Sequence, residues 1–155
     1  MKRTHVVLVG VLTAIATPLA AAAAQGGAPS AAPARVARVQ VRKTSLGKIL
    51  VNASGFTLYE FSKDGHNSDR CAKISGCAAI WPALNTTGKP KAGSGVSASK
   101  LSTIALSGGA KQVTYAGHPL YIYSGDSAPG DTSYVGAMQF GGSWHAINAA
   151  GKAVG

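Results

Sequence analysis

The residues best suited to chemistry in this 155-residue chain are its carboxylates, because only five are present and four of them repeat one spacing. Asp64 and Asp69 lie five residues apart, and Asp126 and Asp131 repeat that separation further along the chain. Paired carboxylates can ligate a hard cation, act as the acid and base of a glycosidase, or fix turns by accepting backbone N–H bonds. A glycosidase pair faces across a cleft, whereas each pair here is local to one loop, so we expect no catalysis from these residues.

Metal binding is the more specific alternative function for these two loops. The segment from Asp64 to Asp69 is rich in oxygen donors, and Ca²⁺ takes about six to eight of them, although neither loop has EF-hand spacing. His118, His145 and Met138 would together suit copper instead. The chain has no G-x-S-x-G nucleophile elbow and no phosphate-binding glycine loop. We therefore expect a non-enzymatic protein without a cofactor, with a Ca- or Cu-binding protein as the alternative.

Aromatic residues flank the carboxylates in both copies. Each copy has two aromatic residues before the first Asp and a tryptophan after the second: Tyr59, Phe61 and Trp81 in one, and Tyr121, Tyr123 and Trp144 in the other. Residues two apart on a strand share a face, so each aromatic pair is expected to meet the tryptophans in the core. Asp64 and Asp126 follow three residues later, where the strand should turn, and we expect each to fix its own turn.

The elements that must position these residues are predicted to be short strands. Segments 48–52 and 56–61 form one predicted hairpin, and segments 112–115 and 120–123 repeat it in the second copy. Each tryptophan segment is typical of a further short strand. The predicted fold class is therefore all-β, and helical patterns are scarce after the N-terminal region.

Two further segments complete the sequence-based fold prediction. Val36, Val39 and Val41 are interspersed with charged residues and predict an edge strand. Residues 85–100 have the composition of a surface loop that joins the two copies.

The domain organisation follows from the size of the copies. They form two tandem β-hairpin-plus-strand repeats, at about 41–86 and 101–154, and each is too short to bury a face alone. We expect the repeats to pack as one small sandwich or barrel-like domain over residues 36–155.

The N-terminal region is typical of a targeting signal rather than of part of the folded domain. Residues 1–24 are typical of a secretory signal peptide, with Lys2 and Arg3 ahead of the apolar run 6–16. No segment provides the roughly 20 apolar residues that a transmembrane helix needs. The cleavage region has no cysteine to lipidate, and residues 25–35 predict a flexible linker. We expect a secreted or periplasmic mature protein that is not lipidated.

The cysteines and the net charge fit that compartment. Cys71 and Cys77 are the only cysteines, and an oxidising space favours a local disulfide between them. Without Lys2 and Arg3, thirteen of the fifteen basic residues remain against five acidic ones, a formal charge of +8. Such a cation is expected to meet anionic envelope polymers or lipid head groups. Nucleic acid is not expected in this compartment, and the oligomeric state is left open.

The motifs resemble those of a known family. Tyr59-x-Phe61-x-x-Asp64 and Tyr121-x-Tyr123-x-x-Asp126 resemble the Y-x-[FWY]-x-x-D motif of bacterial predicted lipoproteins described as a secreted repeat of unknown function. The resemblance covers about residues 41–154, and it implies a secreted or envelope location, a tandem β repeat and no established activity. Membrane anchoring does not carry over, because the lipidated cysteine is missing. The sequence thus predicts an envelope-associated binding or structural module.

Overall fold

A computed structural model of the chain describes residues 35–155, which lie within one compact unit, Ala31–Gly155. The predicted signal peptide, 1–24, and the predicted linker, 25–35, except for Arg35, lie outside the described residues. The strands within residues 35–155 are, in chain order, β1 (Arg38–Thr44), β2 (Gly47–Asn52), β3 (Tyr59–Phe61), β4 (Asn85–Thr86), β5 (Lys91–Ala92), β6 (Leu101–Ala105), β7 (Lys111–Tyr115), β8 (His118–Pro119), β9 (Met138–Gln139), β10 (Gly142–Ile147) and β11 (Ala153–Val154). Helical structure in this range is limited to one turn, α1 (Cys77–Ile80), and short 3-10 helices at Cys71–Lys73, Ala98–Lys100 and Ser107–Gly109.

The described strands form three sheets. Strand β1 lies between β2 and β5, β10 lies between β3 and β11, and β7 lies between β4 and β6. Strand β9 also pairs with β10, and β8 also pairs with β7. All of these pairings are antiparallel except that of β1 with β5. The prediction of an all-β domain built from two repeats is confirmed. The sheets of residues 35–155 form no closed barrel, so the domain is sandwich-like rather than barrel-like.

Four details of the strand prediction are wrong. In the second copy, β7 pairs with β8 at His118–Pro119, and the predicted strand 120–123 has only isolated bridges at Tyr121. The strand with the early valines begins at Arg38, and it is not an edge strand because β2 and β5 pair with its two sides. Trp81 does not lie on a strand, because the cysteine loop closes into α1 and the Trp81 N–H donates to the Cys77 carbonyl at 2.8 Å. The predicted surface loop 85–100 contains β4 and β5, which pair with β7 and β1.

The core draws on both copies of the pattern. One buried apolar cluster combines aliphatic residues from both halves of the domain: Val39, Leu50, Leu58, Leu84, Leu101, Val113, Leu120 and Ile147, together with Tyr115. A second cluster holds the motif aromatic residues, both tryptophans and the two cysteines. Neither repeat therefore has a separate core, which agrees with the prediction that each repeat is too short to bury a face alone.

Two predictions related to the cell envelope can be compared with the structure. The predicted disulfide joins Cys71 and Cys77, whose Cα atoms lie 5.3 Å apart. Among the described residues, no helix combines the length and apolar character needed to cross a membrane.

Candidate functional site

The tryptophans of the two copies meet in the buried aromatic cluster. The indole rings of Trp81 and Trp144 are fully buried and stacked, with centroids 3.9 Å apart and planes only 3° from parallel. Trp144 comes from β10, whereas Trp81 follows the disulfide loop. The stack therefore joins one residue from each repeat at equivalent positions.

Each tryptophan contacts motif residues of both repeats. Tyr59 packs edge-on against Trp81 at 5.1 Å, and Tyr121 packs edge-on against Trp144 at the same distance between ring centroids. The other motif aromatic crosses to the opposite repeat, since Phe61 stacks on Trp144 at 4.3 Å and Tyr123 lies over Trp81 at 4.5 Å. Aromatic pairs of this geometry add about 0.5–1.5 kcal/mol each beyond burial. The expectation that the aromatic faces meet the tryptophans is confirmed.

The backbone around this stack is interleaved in the same way. Strand β3 of the first repeat pairs with β10 of the second, with Phe61 opposite Trp144. In the second repeat, the Ile122 N–H donates to the carbonyl of Pro82, just after Trp81. Tyr59 and Tyr121 exchange two N–H···O bonds of 3.0 Å at the point where the repeats meet. Each motif segment therefore completes its hydrogen bonds with the tryptophan segment of the other repeat.

The first tyrosine of each motif hydrogen-bonds to the motif aspartate of the other repeat. The hydroxyl of Tyr121 donates to Oδ2 of Asp64 at 2.7 Å, and the hydroxyl of Tyr59 donates to both carboxylate oxygens of Asp126, at 3.2 and 3.1 Å. Asp64 also accepts the backbone N–H of Arg70 at 2.7 Å. The expectation that each Asp fixes its own turn therefore holds for Asp64 but not for Asp126, whose hydrogen-bond donor among the described residues is the tyrosine of the other repeat.

Burial changes the acidity of these pairs. Burial raises the pKa of the Asp64 carboxyl to about 6, although the bonds from Arg70 and Tyr121 act in the opposite direction. Burial also raises the pKa of Asp126 to about 6, again opposed by the bond from Tyr59. The pKa values of both tyrosine hydroxyls are raised by burial and then by the adjacent carboxylate, so these hydroxyls remain donors. The carboxyls thus change charge near pH 6.

The second carboxylate of each pair fixes a local turn, as predicted for turn aspartates. Asp69 accepts the Ala72 N–H at 2.8 Å, at the start of the disulfide loop. Asp131 accepts the N–H and hydroxyl of Ser133 at 3.1 and 2.7 Å, and these bonds lower its pKa. Glu60, which the repeated pattern did not indicate, is buried on β3, and its carboxylate contacts Nδ1 of His118 in the other repeat. Only the pairing of the repeats brings these two residues together.

The predicted metal ligands are not brought together as one ligand set. His145 lies on β10 with its ring nitrogens 2.8 and 2.9 Å from the Gly155 carbonyl and the Ser143 hydroxyl. His118 pairs with Glu60, and the side chain of Met138 is 72% exposed. Across residues 35–155, no three His, Cys, Asp or Glu side chains cluster in a way that could hold a metal ion. Binding of Ca²⁺ or Cu²⁺ stays a prediction.

Basic side chains surround a cleft beside the disulfide loop. Its cavity measures about 430 Å³ and is lined by Lys63, Arg70, Lys73, Ile74, Phe140 and Gly141. We call this feature the basic cleft. The three cations come from one segment of the first repeat, 63–73, and only the fold places Phe140 of the second repeat beside them.

The wall of the basic cleft includes a strained turn. Phe140 and Gly141 form the two-residue connection between β9 and β10, and both have positive φ angles, 56° and 79°. A turn of this kind favours Asn-Gly, whereas a bulky residue at positive φ costs about 1–3 kcal/mol. The Phe140 ring is half-buried and packs against the aromatic cluster, which offsets part of that strain.

Comparison with known proteins points to one family. A family model described as a secreted repeat of unknown function matches the chain twice, at residues 40–85 and 102–148. No curated protein and no solved structure gives a match.

Proposed function

This chain belongs to the family described as a secreted repeat of unknown function, and we propose that it acts as a non-enzymatic module that binds anionic polymers of the cell envelope. The family description supports a secreted location. The binding role rests on how the fold uses its charged residues, and on one observation above the others.

That observation is that every carboxylate side chain has a hydrogen-bonding or basic partner within the protein. Asp64 and Asp126 accept tyrosine hydroxyls, Asp69 and Asp131 accept hydrogen bonds within their own loops, and Glu60 pairs with His118. The contact of Glu60 with His118 is the only one among residues 35–155 between a carboxylate and a basic side chain, so no lysine or arginine in that range is neutralised by a carboxylate. Thirteen lysine and arginine side chains in this range are therefore without an acidic partner, and most of them can face an external anion.

The same use of the carboxylates supports a non-enzymatic role. A general acid or base needs a proton-transfer group that can reach a substrate. Here the motif carboxylates are bonded to buried tyrosines of the opposite repeat, and their geometry serves the interface between the repeats. The repeated motif is therefore best understood as architecture that holds a basic surface in place.

The test is a set of binding measurements with polymers of defined charge. Protein spanning residues 25–155 would be sedimented with polygalacturonate and with phosphatidylglycerol vesicles, and with neutral dextran and phosphatidylcholine vesicles as controls. We expect binding to an anionic probe that weakens as salt rises, because exposed charges are screened beyond about 8–10 Å at 0.1–0.15 M salt. Equal binding to charged and neutral probes, or no binding at low salt, would overturn the proposal.

A further inference from the structure

We propose that the basic cleft is the ligand site of this module and that it takes an anionic glycan. In this arrangement one sugar ring lies against Phe140, and its carboxylate or phosphate group lies between Lys63, Arg70 and Lys73. The inference rests on the proposed function, and it assigns that function to one place on the surface. The cavity volume of about 430 Å³ falls within the roughly 300–1,000 Å³ of small-ligand sites.

The backbone that carries the three cations is fixed by the fold. The N–H of Arg70 donates to Asp64 at 2.7 Å, and the N–H of Lys73 donates to the Arg70 carbonyl at 3.0 Å. The disulfide from Cys71 to Cys77 closes a loop that begins directly after Arg70 and contains Lys73. Gly142 of β10 has no room for a Cβ atom, because side-chain atoms of Phe61, Lys63 and Ser62 would lie 2.7–2.8 Å from it, so the Lys63 stem packs against this strand. The fold therefore fixes the backbone positions of the three cations and leaves their side chains exposed to a ligand.

The second repeat shows that the fold does not require these cations. Repeat symmetry places Gly125 where the first repeat has Lys63, and Thr132 where it has Arg70. The second repeat also lacks cysteines, although it forms the same tyrosine and tryptophan contacts. The disulfide, Lys63 and Arg70 are thus additions to one copy of a common framework, and they converge on one cleft.

Phe140 provides an independent reason to regard this cleft as functional. Its positive φ of 56° is a conformation that asparagine or glycine adopts with less strain. Strained residues of this kind concentrate at functional sites. Retaining an aromatic ring at this turn position places an apolar face beside three cations.

The combination of side chains favours a glycan over a membrane surface. Phe140 and Ile74 supply a small apolar patch that matches one face of a sugar ring, and the cations supply partners for carboxylate or phosphate oxygens. These groups line a concavity, whereas a lipid surface is flat and would require exposed apolar groups to insert. A uronic acid and a phosphorylated sugar share this chemistry, and the experiment separates them.

The experiment compares two charge-matched triple variants. Lys63→Gln, Arg70→Gln and Lys73→Gln remove the charge of the cleft, and Arg38→Gln, Lys43→Gln and Lys48→Gln remove the same charge from β1 and β2. Binding to an oligogalacturonide, to phosphorylated dextran and to neutral dextran would be measured calorimetrically. At about 0.15 M salt, we expect the cleft variant to bind its anionic probe roughly 100-fold more weakly. The β1–β2 variant should change affinity less than about threefold, because distant charges are screened.

A second variant tests the role of the ring without changing charge. Phe140→Asn suits the positive φ and removes the aromatic face, so we expect about tenfold weaker glycan binding with the cations intact. Unchanged binding in this variant would remove the sugar-stacking assignment. Equal loss in both triple variants would overturn the cleft while leaving the proposed function in place. Failure of the unmodified protein to bind any anionic probe would overturn both, and binding to phosphatidylglycerol vesicles alone would overturn the choice of a glycan.

Discussion

Replacing Asp126 with asparagine should stabilise this protein at neutral pH, and the gain should be much smaller in mild acid. Both carboxylate oxygens of Asp126 accept the same hydroxyl, that of Tyr59, so the single amide oxygen of asparagine can replace them. The substitution removes a charge that burial disfavours, since burial raises the pKa of Asp126 to about 6.

The sign and the magnitude follow from the shift in pKa. The folded-state pKa lies above the ordinary value of 3.8, so the unfolded chain ionises first as pH rises. The contribution of this carboxyl to stability is therefore fully present below pH 3.8 and is lost as pH rises through about 6. A shift of about two pKa units corresponds to ~3 kcal/mol, which solvent screening of this partly exposed group reduces to about 1 kcal/mol.

Urea unfolding of residues 25–155 at pH 4.5 and pH 7.5 would measure this effect. We expect Asp126→Asn to be about 1 kcal/mol more stable than the natural protein at pH 7.5, or roughly 4 °C in Tm, and about a third of that at pH 4.5. The difference should grow between about pH 4 and pH 6 and level off above pH 6, because the carboxyl is then ionised in the folded state as well.

Asp64→Asn is the matched control. The two oxygens of Asp64 accept different donors, the Arg70 N–H and the Tyr121 hydroxyl, and an amide can satisfy only one of them. The lost hydrogen bond, about 1 kcal/mol, should cancel the gain at pH 7.5 and leave a net loss at pH 4.5. If Asp126→Asn instead destabilises the protein equally at both pH values, burial does not control the acidity of this carboxyl.

Four further outcomes are expected. At pH 4.5, where little is gained by removing the charge, Asp64→Ala and Asp126→Ala should each lower stability by about 1–2 kcal/mol, and the loss should be smaller at pH 7.5. A double-mutant cycle should couple Asp126 to Tyr59 by about 1 kcal/mol and Asp64 to Tyr59 by almost nothing; equal couplings would contradict the exchanged pairs. Fragments 25–100 and 101–155 should each be unfolded alone by circular dichroism and should regain β structure when mixed, because each motif segment pairs with the other repeat; a folded single fragment would contradict this. Replacing both cysteines with alanine should lower the free energy of unfolding by about 2 kcal/mol in urea titrations, since the disulfide closes a short loop, and an unchanged midpoint would show that the loop is held without it. Ca²⁺ or Cu²⁺ added after EDTA should leave Tm unchanged, whereas a bound metal at a hundred times its Kd would add ~2.7 kcal/mol and move Tm by several degrees.

The sequence alone was sufficient for the local features of this protein. A strand alternates its side chains by covalent geometry, so the spacing of Tyr59 and Phe61 predicts a shared aromatic face wherever the strand lies. Asp69 and Asp131 fix turns within a few residues, and the cysteines are close enough in sequence to pair locally. The duplicated pattern also predicted two repeats in one all-β domain.

Tertiary structure decided whether each motif residue contacts its own repeat or the other one. Tyr59 bonds to Asp126 rather than to Asp64, and Glu60 meets His118, because long-range strand pairing interleaves the repeats. The sequence pattern is the same for a pair within one repeat and a pair between repeats, so spacing cannot distinguish them.

The basic cleft was decided at the same level. Lys63 follows β3, Arg70 and Lys73 belong to the disulfide loop, and Phe140 lies in a turn of the second repeat. Composition establishes only that cations are in excess. The three cations lie within one segment, 63–73, but its meeting with Phe140 depends on packing between segments far apart in sequence, which local propensities do not determine.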